Sequence, residues 1–419
     1  MLKAEIIAVG SELLTPDRTD TNSLWLTEKL NEIGIEVTAK SIIGDDEERL
    51  EKCFRAAIEE SDLVIATGGL GPTEDDVTRQ VAARAVGREM FLNEEIVEEI
   101  RKRFAHWGRE MPETNKRQAF VIEGGEVLPN PNGSAPGIFV AFEHNGENKS
   151  VALLPGPPRE MKPMFENHVL PRILEKAGKV KVCRKVLKVS GMGESAVDEL
   201  ISPVYKEYSS IQTTILFNKS EIEVHLAAKG ASEGECNDLL ADVTARVKEK
   251  LGIALYAENG ESLEYVVGQM LKAAGKTLAL AESCTGGLIA ERITDIPGSS
   301  AYFMEGAVTY SNDAKMRTLN VPSEVLENYG AVSAETAEAM ARGIRERTGT
   351  DYGISVTGIA GPDGGSEEKP VGLVYIGCAD ETGIKTLRLM IPGDRFLIRW
   401  RSSQAALDLL RRRMMKKHE

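Results

Sequence analysis

Thr277-Leu278-Ala279-Leu280-Ala281-Glu282-Ser283-Cys284-Thr285-Gly286-Gly287 is an apolar run that halts at a polar turn carrying two glycines. Thr277 to Ala281 reads as a strand and the residues beyond Gly287 as the start of a helix. Strand, glycine turn and helix in that order are the repeating step of an α/β fold. Working outward, strands are expected at Ala307–Tyr310, Tyr352–Thr357 and Gly372–Cys378, separated by helical segments, with a last helix from Phe396 to Met414. The unit opens near Ser262, where Leu263, Val266, Val267, Met270 and Leu271 form a helical apolar stripe.

The same alternation begins the chain. Glu5–Val9, Glu36–Ile43 and Leu63–Ala66 read as strands, with a helix over Asn22–Ile33 and another carrying Leu50, Phe54, Ala57 and Ile58 on one face. That βαβαβ order implies parallel strands covered by helices. Between the two units, Val186–Ser190, Glu194–Tyr205, Thr213–Phe217, Glu221–Ala227, Gly234–Leu251 and Ile253–Tyr256 spell βαββαβ, a small split-βαβ sandwich with no cluster of reactive groups. A chain of 419 residues is too long for one core. Three α/β domains are expected: residues 1–175, a linker domain over 180–257, and residues 262–419.

Apolar residues make up 42% and charged residues 28%, an ordinary globular balance. No apolar run is long enough to span a bilayer, and the N-terminus lacks a signal-peptide pattern, so a cytoplasmic protein without membrane contact is expected. Five scattered cysteines with no C-x-x-C pair suggest neither disulfides nor a zinc knuckle. A net charge of −14 opposes direct nucleic-acid binding. The one basic cluster, Arg411, Arg412, Arg413, Lys416 and Lys417, reads as a solvated helix end.

Ser283 sits where a strand hands over to a helix. Such a serine is either a helix cap or a nucleophile, and free N–H groups at a helix start can hold a developing oxyanion. No histidine lies between Ser262 and Lys417, which excludes a Ser-His-Asp triad within this unit. A nucleophilic Ser283 would need a lysine, a carboxylate or a water as base. Lys315, in Val308-Thr309-Tyr310-Ser311-Asn312-Asp313-Ala314-Lys315, is one candidate, although a lone lysine is usually a solvated surface group. The long loop Thr357-Gly358-Ile359-Ala360-Gly361-Pro362 through Gly372 is of the kind that carries function. All three elements lie at the carboxyl ends of strands, where open α/β sheets place ligands, so they are expected to converge.

Together these three motifs resemble the nicotinamide-nucleotide amidase domain of the CinA family. The resemblance implies Ser283 as acylated nucleophile, Lys315 as base, and Tyr310 as proton relay or lysine-orienting group. It places Thr285 and Gly286 at the oxyanion site and Thr357, Gly358 and Ala360 against the nicotinamide ring or ribose. Arg395 suits the nucleotide phosphate. The substrate so implied is nicotinamide mononucleotide, with no cofactor. Cys284 competes with Ser283 as a nucleophile, but nothing cationic adjoins it in sequence.

Near the N-terminus, Thr67-Gly68-Gly69-Leu70-Gly71-Pro72-Thr73-Glu74-Asp75-Asp76 follows a strand. Its glycines would allow close approach to a phosphate, and its carboxylates could hold a magnesium-type cation. With Gly10-Ser11-Glu12, Thr21-Asn22 and Gly44-Asp45-Asp46 it resembles the molybdopterin-binding fold shared by MoaB-like proteins and the first domain of CinA. The resemblance implies a nucleotide site at Asn22, Gly68, Gly69 and Gly71, metal ligands among Glu12, Asp45, Asp75 and Asp76, and a homodimer. ADP-ribose pyrophosphatase activity and molybdopterin binding or adenylylation compete for this site, and residue types do not separate them. The family's association with competence and DNA damage leaves a non-catalytic interaction protein as the alternative of a different class.

Overall fold

A computed structural model describes residues 2–176, 181–218 and 220–415. The chain packs as two compact units, Met1–Cys183 with Lys229–Asn237, and Arg184–Ala228 with Asp238–Glu419.

In the first unit the strands are β1 (Lys3–Val9), β2 (Glu36–Ile43), β3 (Leu63–Thr67), β4 (Met90–Leu92), β5 (Phe120–Ile122), β6 (Gly125–Leu128), β7 (Gly137–His144) and β8 (Glu147–Leu154). Six of them form a sheet in the order β2-β1-β3-β8-β7-β6, while β4 and β5 pair separately. The β1, β2, β3 and β8 pairings are parallel, and β7 and β6 join antiparallel. Helices α1 (Thr21–Glu32), α2 (Glu47–Glu60), α3 (Thr78–Ala85), α4 (Glu94–His106), α5 (Pro158–Met164) and α6 (Leu170–Lys176) complete the unit. One face of the sheet buries Leu50, Phe54 and Ala57 of α2 with Val81 and Ala82 of α3. The other buries Leu26 and Leu30 of α1 with Met161 and Met164 of α5. Asp20 and Asp46 cap α1 and α2 by accepting the amides of Ser23 and Arg49, which fixes where the strand-to-helix turns end.

The middle segment holds β9 (Lys181–Ser190), α7 (Glu194–Tyr205), β10 (Ile211–Asn218), β11 (Glu221–Gly230), α8 (Glu233–Leu251) and β12 (Leu255–Ala257). Its sheet order, β10-β11-β9-β12, sets the first and third strands side by side, as a split-βαβ unit requires.

The C-terminal part contains α9 (Leu263–Ala274), β13 (Leu278–Glu282), α10 (Leu288–Thr294), β14 (Phe303–Val308), α11 (Asn312–Leu319), α12 (Ser323–Tyr329), α13 (Ala334–Thr348), β15 (Tyr352–Gly358), β16 (Leu373–Asp380), β17 (Gly383–Met390) and α14 (Arg395–Met415). The sheet runs β14-β13-β15-β16-β17. Only β14, β13 and β15 are parallel; β16 and β17 are antiparallel, and β17 has no counterpart in the strands read from sequence. Its alternating, half-exposed pattern hides it from a search for apolar runs. One face packs Val267, Leu271, Ile289, Leu407 and Leu410 from α9, α10 and α14, and the other Leu319, Met340 and Ile344 from α11 and α13.

The basic cluster at the end of α14 is not solvated as expected. Arg411 is 2% exposed and bonded to Asp408 and the Ile253 carbonyl, Arg412 is bonded to Asp408, and Arg413 to Asp380. Lys416 and Lys417 lie outside the described residues. Among the described residues, no helix is long and apolar enough to cross a membrane.

Candidate functional site

The three parallel strands decide which residues meet. Glu282 is in register with Val308 on one side and Val356 on the other. The ladder continues one step past the sheet: Ser283 N donates to Val356 O at 2.9 Å and Thr309 N to Glu282 O at 2.8 Å. Ser283, Thr309 and Thr357 therefore stand level at one sheet edge. Ser311 then caps α11 through the Ala314 amide, and Lys315 follows on the helix's inner face, 1% exposed. Its Nζ donates to Thr309 O at 2.8 Å and lies 3.1 Å from Ser283 Oγ. Burial holds the Lys315 amine below the usual lysine range, opposed only by Cys284. The solvated-surface alternative for this lysine is thereby removed.

Sequence reading missed Glu282. Its buried carboxylate accepts the amides of Gly287, Ile289 and Ala290 at 2.9–3.1 Å, taking up the start of α10. Those amides are consequently not free for an oxyanion, which corrects the expectation drawn from the strand-to-helix turn. Gly286, expected at the oxyanion site, has its amide bonded to Ser283 O at 3.0 Å. The amides of Cys284 and Thr285 have no backbone acceptor among the described residues. Thr285 itself is fully buried, with its hydroxyl unpartnered and its carbonyl gripped by Arg399 Nε and Nη2 at 3.1 and 2.6 Å. Arg399 was also missed, although its place one helical turn after Arg395 puts both on one face of α14. Burial pushes the Cys284 thiol up to about 12, with Glu282 adding to the effect.

Tyr310 is 61% exposed, and its hydroxyl takes a bond from Arg395 Nη2 at 3.1 Å. The group that orients Lys315 is the Thr309 carbonyl instead. Arg395 also donates to Gly361 O at 2.7 Å, tying the end of β14 to the loop after β15. Thr357 spends its hydroxyl on Ala331 O, while Gly358 and Ala360 continue that strand into the loop. A Cβ at Gly358 would stand 2.7 Å from Leu373 O, so packing against β16 is sufficient reason for this glycine.

In the first unit a cleft of about 770 Å³ gathers Glu12, Asn22, Asp45, Gly68, Gly69, Gly71, Asp75 and Asp76. The glycines are required by the chain itself. Gly68 and Gly69 have φ of +98° and +63°, and a Cβ on them would meet Val9 O and Thr78 Oγ1 at 2.1 Å. Asn22 donates to Gly156 O at 2.7 Å and leaves its Oδ1 buried and unpartnered. The carboxylates brace loops: Asp45 accepts the Ser11 amide at 2.9 Å, and Asp76 accepts the amide and hydroxyl of Thr73. Among the described residues no three His, Cys, Asp or Glu side chains are grouped so as to hold a metal ion. Glu12, Asp45, Asp75 and Asp76 thus share the cleft without forming a resident metal cage.

Family models match along the chain: residues 5–175 the "Probable molybdopterin binding domain", 184–257 the "Damage-inducible protein CinA KH domain", and 260–414 the "CinA C-terminal domain". A CinA-like protein of Solibacter usitatus is 50% identical over 413 residues, 99% of this chain and 98% of its own. Another, from Koribacter versatilis, is 46% identical over 412 residues, 98% of this chain and all of its own. Matched by these models along its three segments and by relatives over nearly its whole length, the chain belongs to the CinA family.

Proposed function

We propose that the C-terminal domain hydrolyses the carboxamide of nicotinamide mononucleotide to nicotinic acid mononucleotide and ammonia. The carrying observation is the buried Lys315 amine 3.1 Å from Ser283 Oγ, with its pKa lowered by burial. Neutral Lys315 takes the Ser283 proton as Oγ bonds to the carboxamide carbon, and the carbonyl electrons move onto oxygen. The Cys284 and Thr285 amides, which no backbone carbonyl among the described residues accepts and which lie against the Cys284 sulfur, are the donors assigned to that oxyanion in this reading. When the oxyanion collapses, the C–N bond breaks, and Lys315 returns its proton to the departing ammonia. Lys315 then takes a proton from water, which attacks the ester, and gives that proton back to Ser283. Arg395, at the mouth formed by Tyr310 and Gly361, suits the substrate phosphate.

For the N-terminal domain we propose hydrolysis of ADP-ribose; supporting it is the cleft that collects all the nucleotide-site candidates. Binding of a pterin phosphate, as the matched model's name suggests, is the competing reading. Magnesium is commonly held by one or two carboxylates together with substrate phosphates, so dependence on a divalent ion remains part of the proposal. The test is incubation of the purified protein with nicotinamide mononucleotide and with ADP-ribose in turn, products being identified by mass. Unchanged nicotinamide mononucleotide would overturn the first assignment, and unchanged ADP-ribose in magnesium the second.

A further inference from the structure

The N-terminal cleft presents a charge problem to any phosphate. Its lining holds six carboxylates, Glu12, Asp20, Asp45, Asp75, Asp76 and Glu160, and a single cation, Arg18. A diphosphate entering this space would be repelled. Asp20, Asp45 and Asp76 are held by local backbone amides, which limits their movement but leaves their charge.

Behind the glycine loop, at the start of α3, lies Arg79. It is 4% exposed, and its Nη1 donates to Leu70 O at 2.8 Å and its Nη2 to Pro136 O at 3.3 Å. Its Nε is buried with no partner. A buried guanidinium normally pairs with a carboxylate, because an unpaired charge in the interior is costly. Here both bonded partners are neutral carbonyls, and Leu70 belongs to the cleft lining. Burial brings the guanidinium down to about 10, with only Asp76 opposing. Thr78, the preceding residue, bonds Gly68 O through its hydroxyl at 2.9 Å and Gly69 O through its amide at 3.2 Å, so the glycine loop is seated directly on this turn. A cation so poorly compensated is stabilised when an anion occupies the adjoining space, and the anion gains equally.

We propose that Arg79 is a positioning residue whose buried positive charge lets the N-terminal cleft accept a diphosphate despite its acidic lining. The inference rests on that cleft being a nucleotide site, and its test separates the two. Calorimetry would measure inorganic pyrophosphate and, separately, adenosine binding to the full chain and to its variants, with magnesium present throughout. R79K, which keeps the charge, is expected to bind pyrophosphate within about threefold of the parent, and R79M at least tenfold more weakly. Adenosine affinity should be the same in all three, an outcome that a collapsed cleft would not give. R79Q retains a donor for the carbonyls and serves as the neutral variant where R79M does not fold. Failure of the parent chain to bind pyrophosphate overturns the nucleotide assignment itself. Parent-like binding by a folded neutral variant overturns the role of Arg79 alone, and R79K as weak as the neutral variant shows a mechanical bolt instead of a charge.

Discussion

Lys315 Nζ and Ser283 Oγ lie 3.1 Å apart although 32 residues separate them in the chain. A second bond from the same amine to Thr309 O fixes its direction. In the neutral state required of a base, one N–H keeps the Thr309 carbonyl and the lone pair faces the serine. Ser283→Ala should abolish amide hydrolysis, and Lys315→Ala should lower kcat by about 10²–10⁴-fold. Lys315→Arg should be as poor, because a guanidinium cannot give up its proton near neutral pH. Ammonia release checks the rates, and acid quenching followed by peptide mapping should find the acyl group on Ser283; an active Ser283→Ala protein would sink the assignment.

The pH dependence has a defined sign. Burial favours neutral Lys315, so kcat/KM should rise with pH along a limb whose midpoint lies below that of an ordinary lysine. The unfolded chain binds this proton more tightly than the folded protein. Lys315 therefore makes stability increase with pH between its folded pKa and the ordinary value, and below both it costs stability. A rate profile flat up to the ordinary lysine range would mean that Lys315 is not the base.

Cys284 should be chemically quiet. With its thiol pushed up to about 12, essentially no thiolate is present at pH 8, and alkylation by iodoacetamide should be far slower than for a free thiol. Cys284→Ala should keep most of the activity. Rapid labelling of this residue accompanied by inactivation would reassign the nucleophile.

Glu282 holds three amides at the start of α10, and the serine turn hangs from that helix. Glu282→Ala strands these buried donors and should destabilise the protein by about 1–3 kcal/mol, with Glu282→Gln costing less. Thermal denaturation measures the difference. Equal melting temperatures for all three proteins would show that the carboxylate does not secure the turn.

A fragment from Ser262 to the C-terminus contains Ser283, Lys315, Tyr310 and the 357–372 loop, and is expected to hydrolyse the amide at a similar rate, in EDTA as in magnesium. It should melt at a lower temperature than a fragment that begins at Arg184. In the longer fragment Gln404 donates to Glu221 at 2.9 Å and Arg411 to Ile253 O at 2.6 Å, bonds that truncation removes. Loss of activity in a folded short fragment would mean that the preceding domains complete the site.

Much of this protein is written locally. The βαβαβ alternation gives a helix-covered parallel sheet, because a right-handed crossover returns each strand beside a parallel one. The family likeness is carried by short motifs at strand ends, and the absence of histidine between Ser262 and Lys417 is read directly from the order of residues. The tertiary structure decided everything that depends on which residues face each other across the chain. Lys315 looks like a surface lysine in sequence and becomes a buried amine because parallel β13 and β14 stop level and the Ser311 cap turns α11 inward. Glu282 could not be distinguished from a solvated acid until the turn after it folded back onto its carboxylate. The glycines of the 68–71 loop suggested room for a phosphate, whereas the fold needs Gly68 and Gly69 first, to clear Val9 and Thr78. Pattern and propensity act over a few residues and fix elements; burial, hydrogen-bond satisfaction and pKa arise from groups distant in sequence, and so appear only once the chain is packed.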